Sequence, residues 1–381
     1  MQIFSQITSS LKKVVIFLAR TDIFFYTLFW LMFLVVVGTL DQRNIGLYQA
    51  QLKYFSSLYF WIGPIPLPGA YITMAVVFFG LICRMIAYPN WSRKNLGVNI
   101  THIGSLLLLL GGFLTAEFSK EGSMALREGT ASDFFIDSHD VELSVVDTSP
   151  AGHNQVTAFP KEWLTAGTII SHSTLPFKIE VIAFYPNAEP ARRPTPAGDD
   201  YHGFAKMFSL NSLPFDKEEY KNQSGLVFKV TGASSGQDGH YAIFEGMTVA
   251  QELKTDHGTF TLELRKAQTK LPFAIKLLEF NKLNYPSTDM AKGYRSFVEL
   301  TDGGITQKYL IQMNEPLRYK SYILFQSSFS ESADGKVSVF SVVKNMGAMF
   351  PYISSIIMCF GLLIHLISKV PAMISRKGVA K

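Results

Sequence analysis

Two of the eight histidines, His102 and His365, lie inside long apolar runs of the sequence. An ionisable side chain within a membrane-spanning segment is costly, so such residues commonly serve a function. Neutral imidazole is a common ligand of haem iron, and a low-spin haem takes one such nitrogen on each face. Both histidines are therefore candidate haem-binding residues, and His102 is the candidate axial ligand of the iron.

Each of these histidines also has a simpler interpretation. His102 is close to Thr101 and Gly104, and an interhelical hydrogen bond would explain a histidine in such surroundings. His365 is followed by Lys369 near the end of its apolar run. An interfacial or helix-capping role is the alternative there.

The other chemistry-bearing residues form no recognisable active site. The two cysteines, Cys83 and Cys359, both lie in apolar runs, so there is no CxxC redox pair, no CxxCH haem-attachment site and no disulfide framework. The sequence also lacks a P-loop, a nucleophile elbow and a dinucleotide-binding GxGxxG. No catalytic residue is predicted. The remaining histidines show no metal-ligand spacing and are interpreted as solvated loop residues: His139, His153, His172, His202, His240 and His257.

Apolar residues make up 48% of the 381 residues and are concentrated in a few runs. Runs of about 20 apolar residues are typical of membrane-spanning helices. Four spans are predicted, at about 23–40, 70–88, 96–116 and 346–368. A short stretch before the first span, Leu11 to Arg20, favours an interfacial helix. A cleaved signal peptide is rejected, because no A-x-A-like site follows Leu40 and the apolar run is too long.

The basic residues predict the orientation of the spans. Three clusters of basic residues fall on one side of the membrane if the four spans are real. The first is Lys12, Lys13 and Arg20, the second is Arg84, Arg93 and Lys94, and the third is Lys369, Arg376, Lys377 and Lys381. The positive-inside rule makes that side cytoplasmic. His102 and His365 would then lie at similar depth. The net charge of +5 is modest and not clustered with aromatic residues, so nucleic acid is not a predicted partner.

The segment between the third and fourth spans has the alternating pattern of β-strands. Clear period-two runs begin at Val141, Phe177, Leu226, Thr259 and Val337, and turn-forming residues separate them. An antiparallel sandwich or barrel-like domain with little helix is predicted, with a long excursion or flexible loop over Tyr185 to Gly203.

The predicted fold class is an integral membrane protein with four transmembrane α-helices, three N-terminal and one C-terminal, and a large extracytoplasmic antiparallel β-rich domain. Five regions follow from this fold class. They are a cytoplasmic or interfacial N-terminus (1–22), a three-helix membrane segment (23–117), the β-rich domain (118–345), the fourth helix (346–368) and a basic cytoplasmic tail (369–381).

Several motifs, in order, resemble the ResB (CcsB) family of cytochrome c biogenesis proteins. The first span ends in Gly38-Thr39-Leu40-Asp41-Gln42, similar to the Gly-Thr-x-x-Gln exit of that family. The third span carries Thr101-His102-Ile103-Gly104, and Gly122 to Gly129 resembles the family's entry into its external domain. The most specific stretch is Met313 to Lys320 (MNEPLRYK), which is followed by Phe325-Gln326-Ser327-Ser328-Phe329.

The resemblance implies a subunit of a system II cytochrome c synthetase in the bacterial inner membrane. Such proteins work with a ResC or CcsA-type multispan partner, which supplies a tryptophan-rich haem-handling segment. Together they deliver haem b, transported or ligated as a substrate, and attach it to apocytochrome c. Thiol-reducing proteins are further possible partners. By position, His102 corresponds to the family's proposed haem ligand. The tryptophans Trp30, Trp61, Trp91 and Trp163 are scattered, so this chain is not the fused form of the two subunits.

Two other functions are left open. The chain would be a non-catalytic scaffold if the β-rich domain recruits apocytochrome or thiol-reducing partners and the partner holds all haem. A transporter or receptor is the other alternative, although the predicted spans lack paired broken helices and a cytoplasmic output domain. Whether the chain takes part in catalysis itself is not decided by the sequence.

Overall fold

The computed structural model describes residues 2–89, 92–93, 95–149, 154–233, 236–288, 290–332 and 335–378. Four residues singled out from the sequence, Trp91, Lys94, His153 and Lys381, lie outside these ranges. The chain divides into two compact units, a helical one of Met1–Ser119 with Lys344–Lys381, and a β-rich one of Lys120–Val343.

The helical unit contains the four spans that the sequence predicts. The helices of the whole chain are α1 (Gln2–Leu18), α2 (Thr21–Ile45), α3 (Leu47–Ala50), α4 (Ala70–Ala87), α5 (Leu96–Phe118), α6 (Phe204–Met207) and α7 (Phe350–Gly378). Within the described residues, α2, α4, α5 and the Phe350–Lys369 part of α7 are long and apolar enough to cross a membrane. The prediction of three N-terminal spans and one C-terminal span is confirmed.

The fourth spanning helix differs in its bounds from the predicted 346–368. It begins at Phe350, because Asn345 Oδ1 accepts the Gly347 N–H and Gly347 O accepts the Phe350 N–H, which forms a turn before the helix. Pro351 follows in the first helical turn, where a missing N–H costs no hydrogen bond. The helix then continues to Gly378, through most of the predicted basic tail.

The first spanning helix is joined to a longer N-terminal helix than predicted. Helix α1 packs against α4, and a Cβ atom built on Gly80 would lie 3.2 Å from the Leu18 carbonyl oxygen. Gly80 lies near the middle of α4, so the Leu18 end of α1 packs beside a spanning helix, and the interfacial position of Leu11 to Arg20 stays a prediction. Further along the chain, in α2, Trp30 Nε1 donates a hydrogen bond of 3.0 Å to the Pro68 carbonyl oxygen, just before α4 begins.

Helices α5 and α7 meet along a seam of small residues. Gly97, Gly104 and Gly111 recur every seven residues on α5 and are all buried. A Cβ atom at these positions would lie 2.4 Å from His365 N, 2.6 Å from Met358 Cγ and 2.2 Å from Phe350 Cβ, respectively. Such seams let helix backbones approach closely in a membrane. On the other side of the seam, Ser354 is fully buried and Gly361 has close neighbours at Gly97 and Thr101.

The β-rich unit is built almost entirely from antiparallel strands. The strands of the chain are β1 (Tyr59–Ile62), β2 (Ile65–Pro68), β3 (Lys120–Arg127), β4 (Ala131–Asp147), β5 (Gln155–Pro160), β6 (Ile169–Ile170), β7 (Lys178–Tyr185), β8 (Ala188–Arg192), β9 (Phe208–Ser212), β10 (Gly225–Thr231), β11 (Gly239–Phe244), β12 (Gln251–Thr255), β13 (Gly258–Asn284), β14 (Ala291–Asp302), β15 (Ile305–Gln312), β16 (Leu317–Tyr319), β17 (Tyr322–Ser332) and β18 (Gly335–Lys344). The predicted antiparallel β-rich fold is confirmed.

Two long strands join two separate cores within this unit. Strands β4 and β13, of 17 and 27 residues, pair along their length, and their register shifts between Lys266 and Gln268 and again before Ile275. On one side of these shifts they face a four-stranded sheet in the order β11-β10-β7-β6, which forms a sandwich. On the other side they belong to a ten-stranded sheet with the main order β15-β14-β13-β4-β3-β18-β17-β16. Strand β15 also contacts β16 and β17, so this sheet curls around its own core.

The stretch from Tyr185 to Gly203 is more ordered than the predicted loop. Its residues Ala188–Arg192 form β8, which pairs with β9 over five residues in a separate two-stranded sheet. Asn187 fixes the start of this excursion, because its side chain donates to the Pro214 carbonyl and accepts the Gln223 N–H. The Gly and Pro residues that suggested a loop lie mainly after β8.

Candidate functional site

His102 lies on the face of α5 that points away from α7. Gly97, Thr101 and Gly104 face the α7 seam, as shown by the 2.6 Å between Thr101 Oγ1 and a Cβ atom built on Gly361. Successive helical residues are about 100° apart, which places His102 about 140–160° from Gly97 and Gly104 around the helix. The imidazole is half-buried. It therefore does not use the α5 and α7 seam for an interhelical hydrogen bond.

An apolar groove lies on the same face of α5. Its lining residues are Ile82, Met85, Ile86 and Pro89, which follow one face of α4 and its C-terminal end, and Leu106 of α5. Leu106 is four residues after His102, so the two side chains share a helix face. The cavity volume of about 480 Å³ lies within the range of small-molecule sites.

Arg84 places a positive charge on α4. It follows Ile82 by two residues and precedes Ile86 by two, so it lies about 160° around the helix from both of these lining residues, and it is close enough to His102 to interact with it electrostatically. The Arg84 guanidinium carbon lies 4.5 Å from the centre of the Tyr88 ring, a cation–π contact that restricts its position. The lining of the groove itself is apolar, with His102 on the same face of α5 and the charge of Arg84 on a different face of α4.

His365 lies in the α5 and α7 seam, on the side of α5 away from the groove. Its backbone nitrogen would be 2.4 Å from a Cβ atom at Gly97, and its Nδ1 is buried without a hydrogen-bond partner among the described residues. Gly97 and His102 are five residues apart, or about 7.5 Å along the helix axis. The two histidines are therefore close in depth, but they lie on different faces of α5. Their ligand roles stay predictions.

The Gly38–Gln42 motif has a packing role in the structure. A Cβ atom on Gly38 would lie 2.8 Å from the Phe55 ring, so glycine lets α2 approach the π-helical turn Gln51–Phe55. Asp41 Oδ2 accepts hydrogen bonds from Lys53 Nζ at 2.9 Å and Tyr54 Oη at 2.8 Å. Burial, followed by the hydrogen bond to Asp41, raises the pKa of Tyr54. The motif fixes the chain as it leaves α2.

The Met313–Lys320 motif forms two tight turns of the curled sheet. Asn314 and Lys320 both adopt positive φ values, of 65° and 52°. Lys320 Nζ lies 2.6 Å from Asp302 Oδ2, and the Tyr319 hydroxyl donates to the same carboxylate at 2.8 Å. These hydrogen bonds lower the pKa of Asp302, with that from Lys320 contributing most. The motif thereby connects β16 to the end of β14.

The following Phe325–Phe329 motif supports the same core. The Gln326 side chain bonds to the hydroxyl groups of Ser296 at 2.6 Å and Ser338 at 3.0 Å, and both serines are fully buried. Phe329 stacks against Phe280, with 5.3 Å between ring centres. This polar network, which joins β14, β17 and β18, could not be recognised from sequence spacing alone.

The histidines of the β-rich unit form no shared site. Within the described part of the chain, no group of three His, Cys, Asp or Glu side chains is placed to hold a metal ion. The prediction of solvated loop histidines is wrong for His240, which lies in β11 and stacks on Tyr201 with 4.9 Å between ring centres. His202 stacks on Tyr241, and its Nε2 lies 3.0 Å from the Asp238 carbonyl oxygen. His139 pairs with Glu219.

Four apolar helices and a large antiparallel β-rich unit define the chain as an integral membrane protein with a β-rich domain. Comparison with known proteins narrows this class. Residues 224–344, which contain the Met313–Phe329 motifs, match the model of the ResB-like family. The predicted resemblance to the ResB family is thus confirmed over this segment.

A curated relative extends the similarity beyond that segment. The chain is 26% identical over 273 residues to Protein NrfI of Wolinella succinogenes, a match that covers 70% of this chain and 27% of that protein. The matched part is thus about a quarter of the length of NrfI.

Proposed function

We propose that this protein is a subunit of a system II cytochrome c synthetase. With a ResC or CcsA-type multispan partner, it delivers haem across the bacterial inner membrane and supports covalent attachment of that haem to apocytochrome c. The observation that carries the proposal is the apolar groove between α4 and α5, which lies on the same face of α5 as His102. The ResB-like match supports the general role in cytochrome c biogenesis.

The residues around the groove fit the chemistry of haem b. Haem is a flat, mostly apolar molecule with two propionates and an iron that accepts nitrogen ligands. Ile82, Ile86 and Leu106 would contact the apolar ring, His102 would ligate the iron, and Arg84 would pair with a propionate. The second axial ligand would come from the partner. His365 is a weaker candidate, because its backbone contacts Gly97 and α5 and α7 would have to separate before haem could enter.

The attachment step needs reduced reactants. A cysteine thiol of apocytochrome c adds across a haem vinyl group, which forms a C–S bond and moves the thiol proton to the other vinyl carbon without net oxidation. Imidazole ligation in an apolar site protects Fe(II) haem from water and oxidants. Thiol-reducing partners keep the apocytochrome cysteines reduced. The β-rich domain, on the periplasmic side in the proposed topology, positions the apocytochrome.

Replacing His102 tests the ligand role directly. The chain and its partner would be co-expressed and purified, and haem content and cytochrome c yield would be measured for His102→Ala. His257→Ala is a matched control, because His257 lies in an exposed turn between β12 and β13. We expect His102→Ala to lose most of the haem absorbance and the control to keep it. Full haem content and full yield in His102→Ala would refute the ligand role and favour the non-catalytic scaffold.

Arg84 has a separate test that does not depend on stability. Haem and its dimethyl ester, which lacks propionate charges, would be compared for binding to the purified complex. We expect the wild type to bind haem more tightly than the ester, and Arg84→Gln to bind the two with similar affinity. An unchanged preference for haem in Arg84→Gln would show that Arg84 does not recognise a propionate.

A further inference from the structure

The hairpin formed by β1 and β2 carries an exposed apolar face. The two strands pair from Tyr59 with Pro68 to Ile62 with Ile65, and no charged residue occurs between positions 58 and 69. The two-residue turn Gly63-Pro64 joins them, with Gly63 at a φ of 60°. Glycine is favoured at the first position of such a turn. The hairpin is thus a short, uncharged, well-defined element.

One face of this hairpin is fixed to the helical unit. Phe60 is 2% exposed and belongs to a small core with Leu34 and Tyr54. At the base of the hairpin, the Gly69 N–H donates to the Leu58 carbonyl at 2.8 Å, and Trp30 donates to the Pro68 carbonyl. The hairpin therefore has a fixed orientation relative to α2 and α4.

The opposite face and the turn end of the hairpin are apolar and exposed within the described structure. On the face opposite Phe60, Tyr59 and Trp61 are 61% and 62% exposed. At the turn end of the Phe60 face, Ile62 and Ile65 are 48% and 59% exposed. An antiparallel sheet that faces water on one side normally alternates apolar and polar residues. In this hairpin the residues of both faces are apolar, so the exposed face that carries Tyr59 and Trp61 is not suited to water.

The backbone of β2 is also suited to an apolar surrounding. In a two-residue hairpin the residues next to the turn, Ile62 and Ile65, form a hydrogen-bonded pair, and the pairs alternate from there. Pro66 and Pro68 therefore occupy positions whose N–H would point away from β1. Proline has no N–H, so this outer edge presents no unsatisfied donor.

We propose that the β1–β2 hairpin inserts its exposed face into the headgroup region of the outer leaflet and anchors the helical unit there. Its base adjoins Ala70, where the α4 span begins, and α2, against which Phe60 packs at Leu34, also exposes apolar residues such as Val35 and Val36. Trp and Tyr are enriched at membrane interfaces, because their rings are apolar at one end and polar at the other. Lipid is therefore the occupant that this face fits.

Fluorescence quenching in liposomes tests the proposal. The full chain, Trp61→Phe and Trp163→Phe would be reconstituted into phosphatidylcholine vesicles with acyl chains brominated near the headgroups, and quenched by bromolipid or by aqueous iodide. The difference between wild type and each variant isolates the signal of one tryptophan, while Trp30 and its hydrogen bond stay in place. Trp163 is the water-exposed control, because it lies in the β-rich unit and is 48% exposed. Circular dichroism would verify that all three proteins fold alike.

We expect bromolipid to quench the Trp61 signal several-fold more strongly than the Trp163 signal, and iodide to show the reverse. Equal quenching of both tryptophans by iodide, with no bromolipid effect on Trp61, would overturn the proposal by placing the hairpin in water. Protection of Trp61 from both quenchers would also overturn it, because the face would then be covered by protein.

Discussion

Substitution of Gly97 by alanine tests the tight packing between α5 and α7. A Cβ atom at this position would lie 2.4 Å from His365 N, 2.5 Å from Gly361 O and 2.8 Å from His365 Cα. All three are backbone atoms, so no side chain can rotate to make room. The helices must separate by about 1 Å to restore ordinary contacts of at least about 3.4 Å.

The cost of this separation can be estimated from the seam. A gap of 0.5–1 Å removes about a quarter to a half of the dispersion energy of each affected contact, and overpacking of a well-packed site costs about 1–3 kcal/mol. Gly112 is a matched control on the same helix, because nothing lies within 4 Å of a Cβ atom there. Alanine is favoured over glycine in a helix by about 1 kcal/mol, but both variants gain this equally, so they should differ only by the overpacking cost of about 1–3 kcal/mol.

The assay is unfolding of the purified full chain in mixed detergent micelles with increasing dodecyl sulfate, followed by helical circular dichroism. We expect Gly97→Ala to unfold at a lower dodecyl sulfate fraction than the wild type, and Gly112→Ala at an equal or higher one. If both variants shift the midpoint equally, the effect would reflect helix propensity alone. The close approach of α5 and α7 at Gly97 would then be refuted.

Three further predictions concern hydrogen bonds and ionisation. Burial raises the pKa of Tyr241 to about 12. Tyrosine ionises near pH 10 in the unfolded chain, so the folded state keeps about 3 kcal/mol of stability from this group below pH 10. That stability is lost as the pH rises from about 10 toward 12. Denaturant titrations at pH 9 to 12 should show this loss in the wild type and in Tyr285→Phe, an exposed-tyrosine control, but not in Tyr241→Phe. Gln326→Leu removes the shared hydrogen-bond partner of two buried serine hydroxyls and should lower the free energy of unfolding by about 1–3 kcal/mol in the same titration. An unchanged free energy of unfolding would contradict this network. Asp41→Asn weakens the partly exposed pair with Lys53 and should cost about 1 kcal/mol, visible as faster proteolysis near the π-helical turn; unchanged cleavage would contradict the pairing.

The sequence was most informative where one residue pattern decides the structure. Four apolar runs predicted four spanning helices, because a membrane requires long uncharged segments. Alternation predicted the strands that contain Val141 and Thr259, but not that β4 and β13 each extend through two cores. That outcome depends on register shifts near Lys266 and on which sheet packs opposite, and neither is encoded in local alternation. The bounds of the last helix depended on a turn at Asn345, which hydropathy does not detect.

The candidate site shows a similar division. His102 was recognised as a lone ionisable residue in a span, but Arg84 was interpreted as part of a basic cluster that orients the spans. Its closeness to His102 depends on how α4 and α5 pack, which sequence spacing on one helix cannot give. The contact of His365 with Gly97 lies about 7.5 Å from His102 along the α5 axis, and the similar depth of the two histidines in a membrane stays a prediction. Their separation onto different faces follows only from knowing that Gly97 and Gly104 face α7.

This separation gives α5 two independent tasks. One face carries the glycines that bring α7 close, and the other carries His102 and Leu106 beside the groove. A variant that loosens the seam, such as Gly97→Ala, should therefore lower stability more than it lowers haem affinity per folded molecule. A variant at His102 should do the opposite. Stability and haem affinity would be measured for the Gly97 and the His102 variants. If haem bound between α5 and α7 instead of at the groove, Gly97→Ala would lower stability and haem affinity together.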